Sequence, residues 1–451
     1  MPLSTVDRQT FGRDRNMLVI EYRTIRLIPN NPAVRVGACE AVHAAAEQRS
    51  KEEPMAREFS IFAVGDVFVD RDEPMSAFAR AGRVLRQGDV VFGNCEGVFS
   101  DRWERAPSCG SPVVAPAANA KALAQAGFTV LSLANNHSLD GGHAAMINTR
   151  DTLRSLGTQV AGAGEDAERA HEAATVRIGD TKVAFLAYSA VFPHGYEARS
   201  AAPGLAPLRA HTHYTPWEVN EWNPGLAPRV RTVPFAEDVE AFLADLERTR
   251  AAADVVVVSV HWGDFTRPFR LTDHERTMAR LAIDSGADVV LGHHHHMLRG
   301  VEFHRGKPIF YGLGHYLFDL PNLAERLAKD GYLSAARPAD ALELGRRFGE
   351  YRIRPREGYP SLPFHPDSRM TGTAVIRMNG STIEAVGFLP ALIDQENEPV
   401  PVEPDSADGR RVIDYLKRCC EEELLPTTVI EPRPGSGLPD GCVQLLPDAT
   451  E

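Results

Sequence analysis

Five times in this 451-residue chain a short apolar run gives way at once to residues that can hold a cation or move a proton. Phe59–Val64 leads into Gly65-Asp66, and Val90–Phe92 into Gly93-Asn94-Cys95-Glu96. Thr129–Leu133 leads into Ala134-Asn135-Asn136-His137, and Val255–Val260 into His261-Trp262-Gly263-Asp264. Val289–Leu291 leads into Gly292 and four consecutive histidines, His293 to His296. The set mixes carboxylate, amide and imidazole donors without a thiolate, which suits a borderline or moderately hard divalent ion. Singly, each cluster has an ordinary reading: a strand-end Asp caps a turn or helix, Asn135-Asn136 builds an Asx-turn, and His261 is a satisfied structural histidine. Five such coincidences at five strand ends point instead to a metal centre.

The elements that must position these residues are legible from periodicity. Short β-branched runs, among them Val183–Tyr188 and Ile309–Tyr311, alternate with helical stretches at Asn119–Ala126, His143–Leu156, Phe235–Arg250 and Asp273–Ser285. That alternation predicts an α/β domain whose helices cover a largely buried sheet. The run from Asp254 to Val260 is apolar on both faces, as a central strand should be. In such sheets the carboxyl ends of the strands face one crevice, so the five clusters are expected to meet there. Near the end, Thr371–Met378 and Ser381–Leu389 flank Asn379-Gly380, a hairpin signal. A helix is expected over about Asp408–Leu424.

The remaining stretches set the expected boundaries. Residues 1–57 lack a periodic pattern and read as a poorly ordered extension, with Met55 a candidate true start. The domain is expected over 58–425, with lid-like insertions at about 194–234 and 320–369, and the Pro/Gly-rich residues 426–451 as a disordered tail. Composition narrows the function. With 49 Lys+Arg against 61 Asp+Glu and a net charge of -12, the chain reads as neither a nucleic-acid binder nor a polybasic membrane-surface protein. Its longest strongly apolar run falls far short of the ~20 residues that cross a bilayer. The N-terminus carries charges where a signal peptide needs an apolar region. Six cysteines without C-x-x-C spacing argue against a disulfide scaffold or a Cys-based zinc site. The expectation is a reduced, cytoplasmic protein with no membrane span.

The segments 65–71 (GDVFVDR), 93–100 (GNCEGVFS), 126–142 (AGFTVLSLANNHSLDGG) and 162–166 (GAGED) resemble those of the CapA family. So do 259–265 (SVHWGDF), 286–302 (GADVVLGHHHHMLRGVE) and 309–319 (IFYGLGHYLFD), in matching order and spacing. These are capsule or poly-γ-glutamate biosynthesis proteins with the calcineurin-like metallophosphoesterase architecture, and the resemblance runs from about Ser60 to Leu424. It implies a four-layer αββα sandwich with two divalent ions, Mn, Fe or Zn. By motif, Asp66 would bind one ion, Glu96 would stand for the bridging carboxylate, Asn136 would bind the second ion, and His261 would be a further ligand. The family's last motif, His-Pro-His, puts His294 and His296 on the metals and His295 in the place of Pro; a G-H-x-H register would choose His293 and His295 instead.

The resemblance further implies that His137 is the general acid, with Asp140 orienting its ring; Asp140 also reads as the N-cap of the following helix. Arg71 reads either as a contact to an anionic substrate group or as a surface salt bridge. His315 stands where the family has Asn, either adding a polar contact near the metals or serving as a buried structural histidine. Phe265 stands where an acid is usual after His-Trp-Gly, and Asp264 directly follows Gly263. Family members commonly carry an N-terminal membrane anchor or export signal, and this chain is expected to carry neither. A two-metal centre lowers the pKa of water and clamps the oxygens of a displacement, and a protonated His can serve the departing group. The expected function is a CapA-type metal-dependent hydrolase acting on an amide, γ-glutamyl or phosphoester bond of an anionic or peptidic small-molecule or polymer substrate. The competing readings are a small-metabolite phosphatase or phosphodiesterase, and a non-catalytic accessory subunit of a polymer-synthesis complex. Arg352, Arg354 and Arg356 would suit an anionic substrate in either enzyme reading.

Overall fold

The computed structural model describes residues 57–217, 225–322, 325–326, 353, 356–362 and 364–448. The N-terminal extension, the candidate start Met55, Arg352 and Arg354 lie outside the described residues. Strand and helix alternate as the periodicity predicts: β1 (Glu58–Phe68), α1 (Ala81–Leu85), β2 (Val90–Cys95), α2 (Ala120–Ala126), β3 (Val130–Ser132), α3 (Gly142–Ser155) and β4 (Gln159–Ala161). Next come β5 (Ala174–Ile178), β6 (Thr181–Ser189), α4 (Ala236–Ala252), β7 (Val255–His261), α5 (Asp273–Asp284) and β8 (Val289–His293). The chain continues with β9 (Val301–His304), β10 (Lys307–Phe310), β11 (His315–Phe318), β12 (Met370–Asn379), β13 (Thr382–Ile393), β14 (Pro399–Pro401), α6 (Ala407–Glu422), β15 (Thr427–Ile430) and β16 (Val443–Pro447).

Two sheets result. The larger runs β15-β16-β13-β12-β1-β2-β3-β4, with β11 also on β1 and β14 on β13; the smaller runs β9-β10-β8-β7-β6-β5. Alternation along β1 shows how they stack. Phe59, Ile61 and Ala63 enter the core shared with the smaller sheet, while Phe62 and Val64 join the cluster under α1, α2 and α3. Phe92 and Phe185 stack across the sheets at 5.3 Å. Residues Val255 to Val258 of β7 are all 0% exposed because α4 and α5 cover the far face. Each buried valine contributes about 1.5–3 kcal/mol. The layer order is therefore helix, sheet, sheet, helix, the αββα sandwich that the resemblance implied.

Two expectations need correction. The strand-end placement is only approximate: β1 continues through Gly65 and Asp66 to Phe68, and His261 and His293 are the last residues of their strands. Around Asp66 the ladder slips in register, because the backbone there pairs with Gly314. The tail is the second. Composition read residues 426–451 as disordered, yet β15 and β16 pair with each other and β16 extends the large sheet against Val386–Phe388. Most of the Pro and Gly residues fall in the loop that connects the two strands, while Val443 and Leu445 are buried.

The first insertion forms an exposed ribbon, Ala210–Thr215 paired with Arg229–Pro234. The hairpin β12–β13 forms as its Asn-Gly signal predicts, with Gly380 at φ 57°. Among the described residues no helix is long and apolar enough to cross a membrane. The five described cysteines are buried and free.

Candidate metal centre

The carboxyl ends of β1, β2, β7 and β8 bring the predicted donors together. Asp66 sits in the slipped part of β1, fixed by its backbone N–H donating to the Gly314 carbonyl at 3.0 Å. The approach requires glycine: a Cβ on Gly65 would lie 1.9 Å from that same oxygen. Glu96, one residue past β2, donates its backbone N–H to Val67 at 3.1 Å. His261 Nε2 lies 2.6 Å from Asn136 Oδ1, 3.1 Å from His294 Nδ1 and 3.6 Å from Glu96 Oε1. His296 Nδ1 lies 3.3 Å from Asp66 Oδ2, and its Nε2 is 3.6 Å from Glu96 Oε1.

These donors fall into two groups, Glu96 with His261 and His294, and Asp66 with Glu96 and His296. Donors at ~2.0–2.1 Å around one tetrahedral ion stand about 3.4 Å apart, which these separations match. Glu96 belongs to both groups. Asp66 Oδ2 and both Glu96 carboxylate oxygens are buried without a hydrogen-bond partner. Buried oxygens left this way are costly unless a cation answers them. The residues present fit a pair of divalent ions.

Electrostatics favours the same reading. Burial, and then the negative charge of Asp66, push the Glu96 carboxyl well above its usual range. Burial, with the neighbouring His294, holds His261 well below the ordinary imidazole value. Burial, with His295 next to it, pushes His294 down to about 3. Neutral imidazoles and a carboxyl ready to lose its proton are the forms that bind metal.

His137 stands beside this cluster, and its Nδ1 is 2.7 Å from Asp140 Oδ2. Asp140 is buried and accepts further from the Val113 N–H at 2.8 Å and the Tyr196 hydroxyl at 2.9 Å. It does not cap the next helix, whose N-cap is Gly141 without a side-chain bond. Asn135 does make the Asx-turn, accepting from the His137 N–H at 3.1 Å, and its amide donates to Asn94 and to the Cys95 carbonyl.

A pocket opens over the donors, lined by Asn136, His137, His294 and His296, and walled by Phe265, Phe318, Phe364, Leu320, Ile353 and Arg326. Four of these walls, Leu320, Arg326, Ile353 and Phe364, belong to the second insertion.

Several expected positions fall elsewhere. Arg71 forms a two-pronged ion pair with buried Asp319 at 2.5 and 2.7 Å and does not line the pocket. The salt-bridge reading describes it, because the loop carrying Asp319 lies directly against the end of β1. His315 is fully buried and does not itself line the pocket; its ring lies 6.0 Å from that of His296 and packs against the walls Phe364 and Phe318 at 5.3 and 5.8 Å. Arg356 donates to the Phe364 carbonyl. Asp264 turns away to Thr266, accepting its N–H at 2.8 Å. His293 Nδ1 is 3.6 Å from Asp66 Oδ1, and His295 meets Glu275 at 2.9 Å. The two donor groups contain His294 and His296, while His293 is buried beside Asp66 with neither ring nitrogen hydrogen-bonded.

Sequence reasoning missed Asn94, whose amide donates to Asp66 at 2.9 Å. Its position two residues before Glu96 on a strand was an available signal. It also missed Tyr196 and Arg326, which come from insertions where no periodicity points at the site.

The family described as bacterial capsule synthesis protein PGA_cap matches residues 60–320. The PGA biosynthesis protein CapA of Bacillus subtilis is 28% identical over 247 residues, covering 54% of this chain and 57% of that protein. The capsule biosynthesis protein CapA of Bacillus anthracis is 27% identical over 246 residues, covering 54% and 53%. A probable polyglutamine synthesis accessory protein of Mycobacterium tuberculosis is 33% identical over 195 residues, covering 42% and 45%. The chain thus spans about half the length of these curated relatives. Among solved structures, the calcineurin-like phosphoesterase YfkN of Bacillus subtilis aligns with a TM-score of 0.30 and 12% identity, over 81% of this chain and 98% of that one. All five strand-end clusters, from Asp66 to His296, lie inside the matched span, and the chain belongs to the bacterial capsule synthesis protein (PGA_cap) family.

Proposed function

We propose that this chain is a metal-dependent hydrolase that cleaves an amide, γ-glutamyl or phosphoester bond in the service of poly-γ-glutamate or capsule synthesis. Asp66, Glu96 and His296 would hold one divalent ion, and Glu96, Asn136, His261 and His294 the other. When bound, such a pair supplies an activated water and polarises the bond under attack. The observation that carries the reading is the Glu96 carboxylate, common to both donor groups, with both oxygens buried and unpaired.

The chain's own residues would do the rest. His137, with one ring nitrogen taken by Asp140, turns its other edge to the pocket and protonates the leaving group. Tyr196 and the Val113 N–H fix Asp140, which keeps the ring in register. The aromatic walls exclude bulk water, and Arg326, which pairs with Asp70 at 3.7 Å and donates to the Pro112 carbonyl, forms a polar edge of the same pocket.

Mutation separates these roles. His137→Ala should lower turnover by about 10²–10⁴-fold while metal content stays at two ions per chain by elemental analysis. His261→Ala should lose metal as well as activity; full metal content and full activity in that variant would overturn the ligand assignment. A panel of p-nitrophenyl phosphates and γ-glutamyl peptides distinguishes phosphoester from amide cleavage.

The name of the M. tuberculosis relative favours a second reading, a non-catalytic accessory subunit with structural ions. On that reading His137→Ala changes nothing in a polymer-synthesis assay.

A further inference from the structure

We propose that His295 and Glu275 form a positioning pair that sets the metal affinity of the centre by holding the turn that carries His294 and His296; this rests on the two-metal reading above. Both flanking histidines have left-handed backbone, His294 at φ 95° and His296 at φ 53°. A non-glycine residue there is strained and persists only where the surroundings impose it. The turn therefore needs an anchor.

His295 supplies one. It is oriented away from the donor groups, and its Nε2 meets Glu275 Oε1 at 2.9 Å with both side chains at 0% exposure. The other Glu275 oxygen is fixed from the helix side, accepting from the N–H and hydroxyl of Thr272, each at 2.6 Å, in the capping box that starts α5.

The loop after His261 closes over the pair. Gly263 has φ +88°, and a Cβ there would lie 2.1 Å from His295 Nε2 and 2.7 Å from Glu275 Oε1. Buried Arg299 donates to the carbonyls of Asp264 and Arg267 at 2.9 and 2.8 Å, tying the same loop down. One buried contact thus locks together the start of α5, the segment following His261 and the turn bearing His294 and His296. Residues that orient metal ligands in this way typically govern affinity by about 10–100-fold.

The test uses the full chain, stripped with chelator and titrated with Zn²⁺ and Mn²⁺ against a competing indicator. His295→Ala should weaken binding of at least one ion by about 10–100-fold, and His295→Gln, which keeps a donor for Glu275, should recover most of that loss. If His295→Ala does not fold, Glu275→Gln serves, with unchanged circular dichroism and a several-fold loss of affinity expected. A purely structural role would lower the metal-free Tm while leaving affinity within twofold of wild type, and that result overturns the proposal. Wild-type protein that binds neither ion would overturn the two-metal reading itself, an outcome distinct from wild type and variants binding equally well.

Discussion

Glu96 is the residue on which most of the electrostatics turns. Burial beside Asp66 without a cation disfavours the charged form of this carboxyl, at a cost to stability. Glu96→Gln should therefore raise the Tm of the chelator-stripped protein by a few degrees while removing at least one bound ion. A drop in the metal-free Tm would show that Glu96 is satisfied in some other way. The histidines give the pH dependence. Burial lowers six of them, His261, His274, His294, His295, His296 and His315, against two glutamates, Glu96 and Glu275, and one aspartate, Asp70, that burial raises. A lowered histidine is neutral when folded but protonates once unfolded, so below about pH 6.5 the unfolded chain binds more protons. The histidines outnumber these carboxyls, and metal-free stability should fall as pH drops from 6.5 toward 5. Thermal melts at several pH values check this; a flat or rising Tm on acidification would contradict it. Residue types alone pointed to the donors, because carboxylate, amide and imidazole at strand ends is a rare conjunction. They could not reveal that Arg71 is spent on Asp319, since a partner 248 positions away leaves no local pattern.

At the scale of elements, the centre depends on close approaches that only glycine permits. Gly65→Ala would drive a Cβ into the Gly314 carbonyl and push β1 off the segment before β11. Asp66 would move with it. We expect a lowered Tm together with weaker metal binding, read by differential scanning fluorimetry with and without Mn²⁺; retained affinity would mean that the register slip at Asp66 is incidental. Strands and helices were legible because period-two and helical patterns are local. The run of valines in β7 and the capped helix at Asp273 needed no tertiary information. The exact strand ends were not legible, since the slip around Asp66 is imposed by Gly314. His294 and His296 were favoured over His293 and His295 only by motif. The physical reason for the grouping lies in Glu275 on another element, which takes His295 out of the donor set.

For the whole molecule, the αββα layering followed from strand–helix alternation plus a family resemblance, whereas the C-terminal strands were missed because proline and glycine dominated the composition. Deleting residues 426–451 should therefore do more than trim a tail. It strips β16 from β13, exposing an apolar edge, and removes buried Val443 and Leu445, worth about 1.5–3 kcal/mol each. The truncated chain should melt earlier and aggregate on heating, as light scattering would detect; an unchanged melt would show that β16 adds nothing.

The order of the large sheet has a further result. Its strand β1 lies between β2, which follows soon after, and β12, where Glu58 meets Asn379. The earliest described strand must therefore wait for its partner on that flank until the residues up to Asn379 have been synthesised. Long-range pairing of that kind makes for slow folding and a prolonged exposure of sticky backbone. Production of this protein should gain from lower temperature and from chaperones that shield nascent chains, for a reason written in its topology and independent of its chemistry.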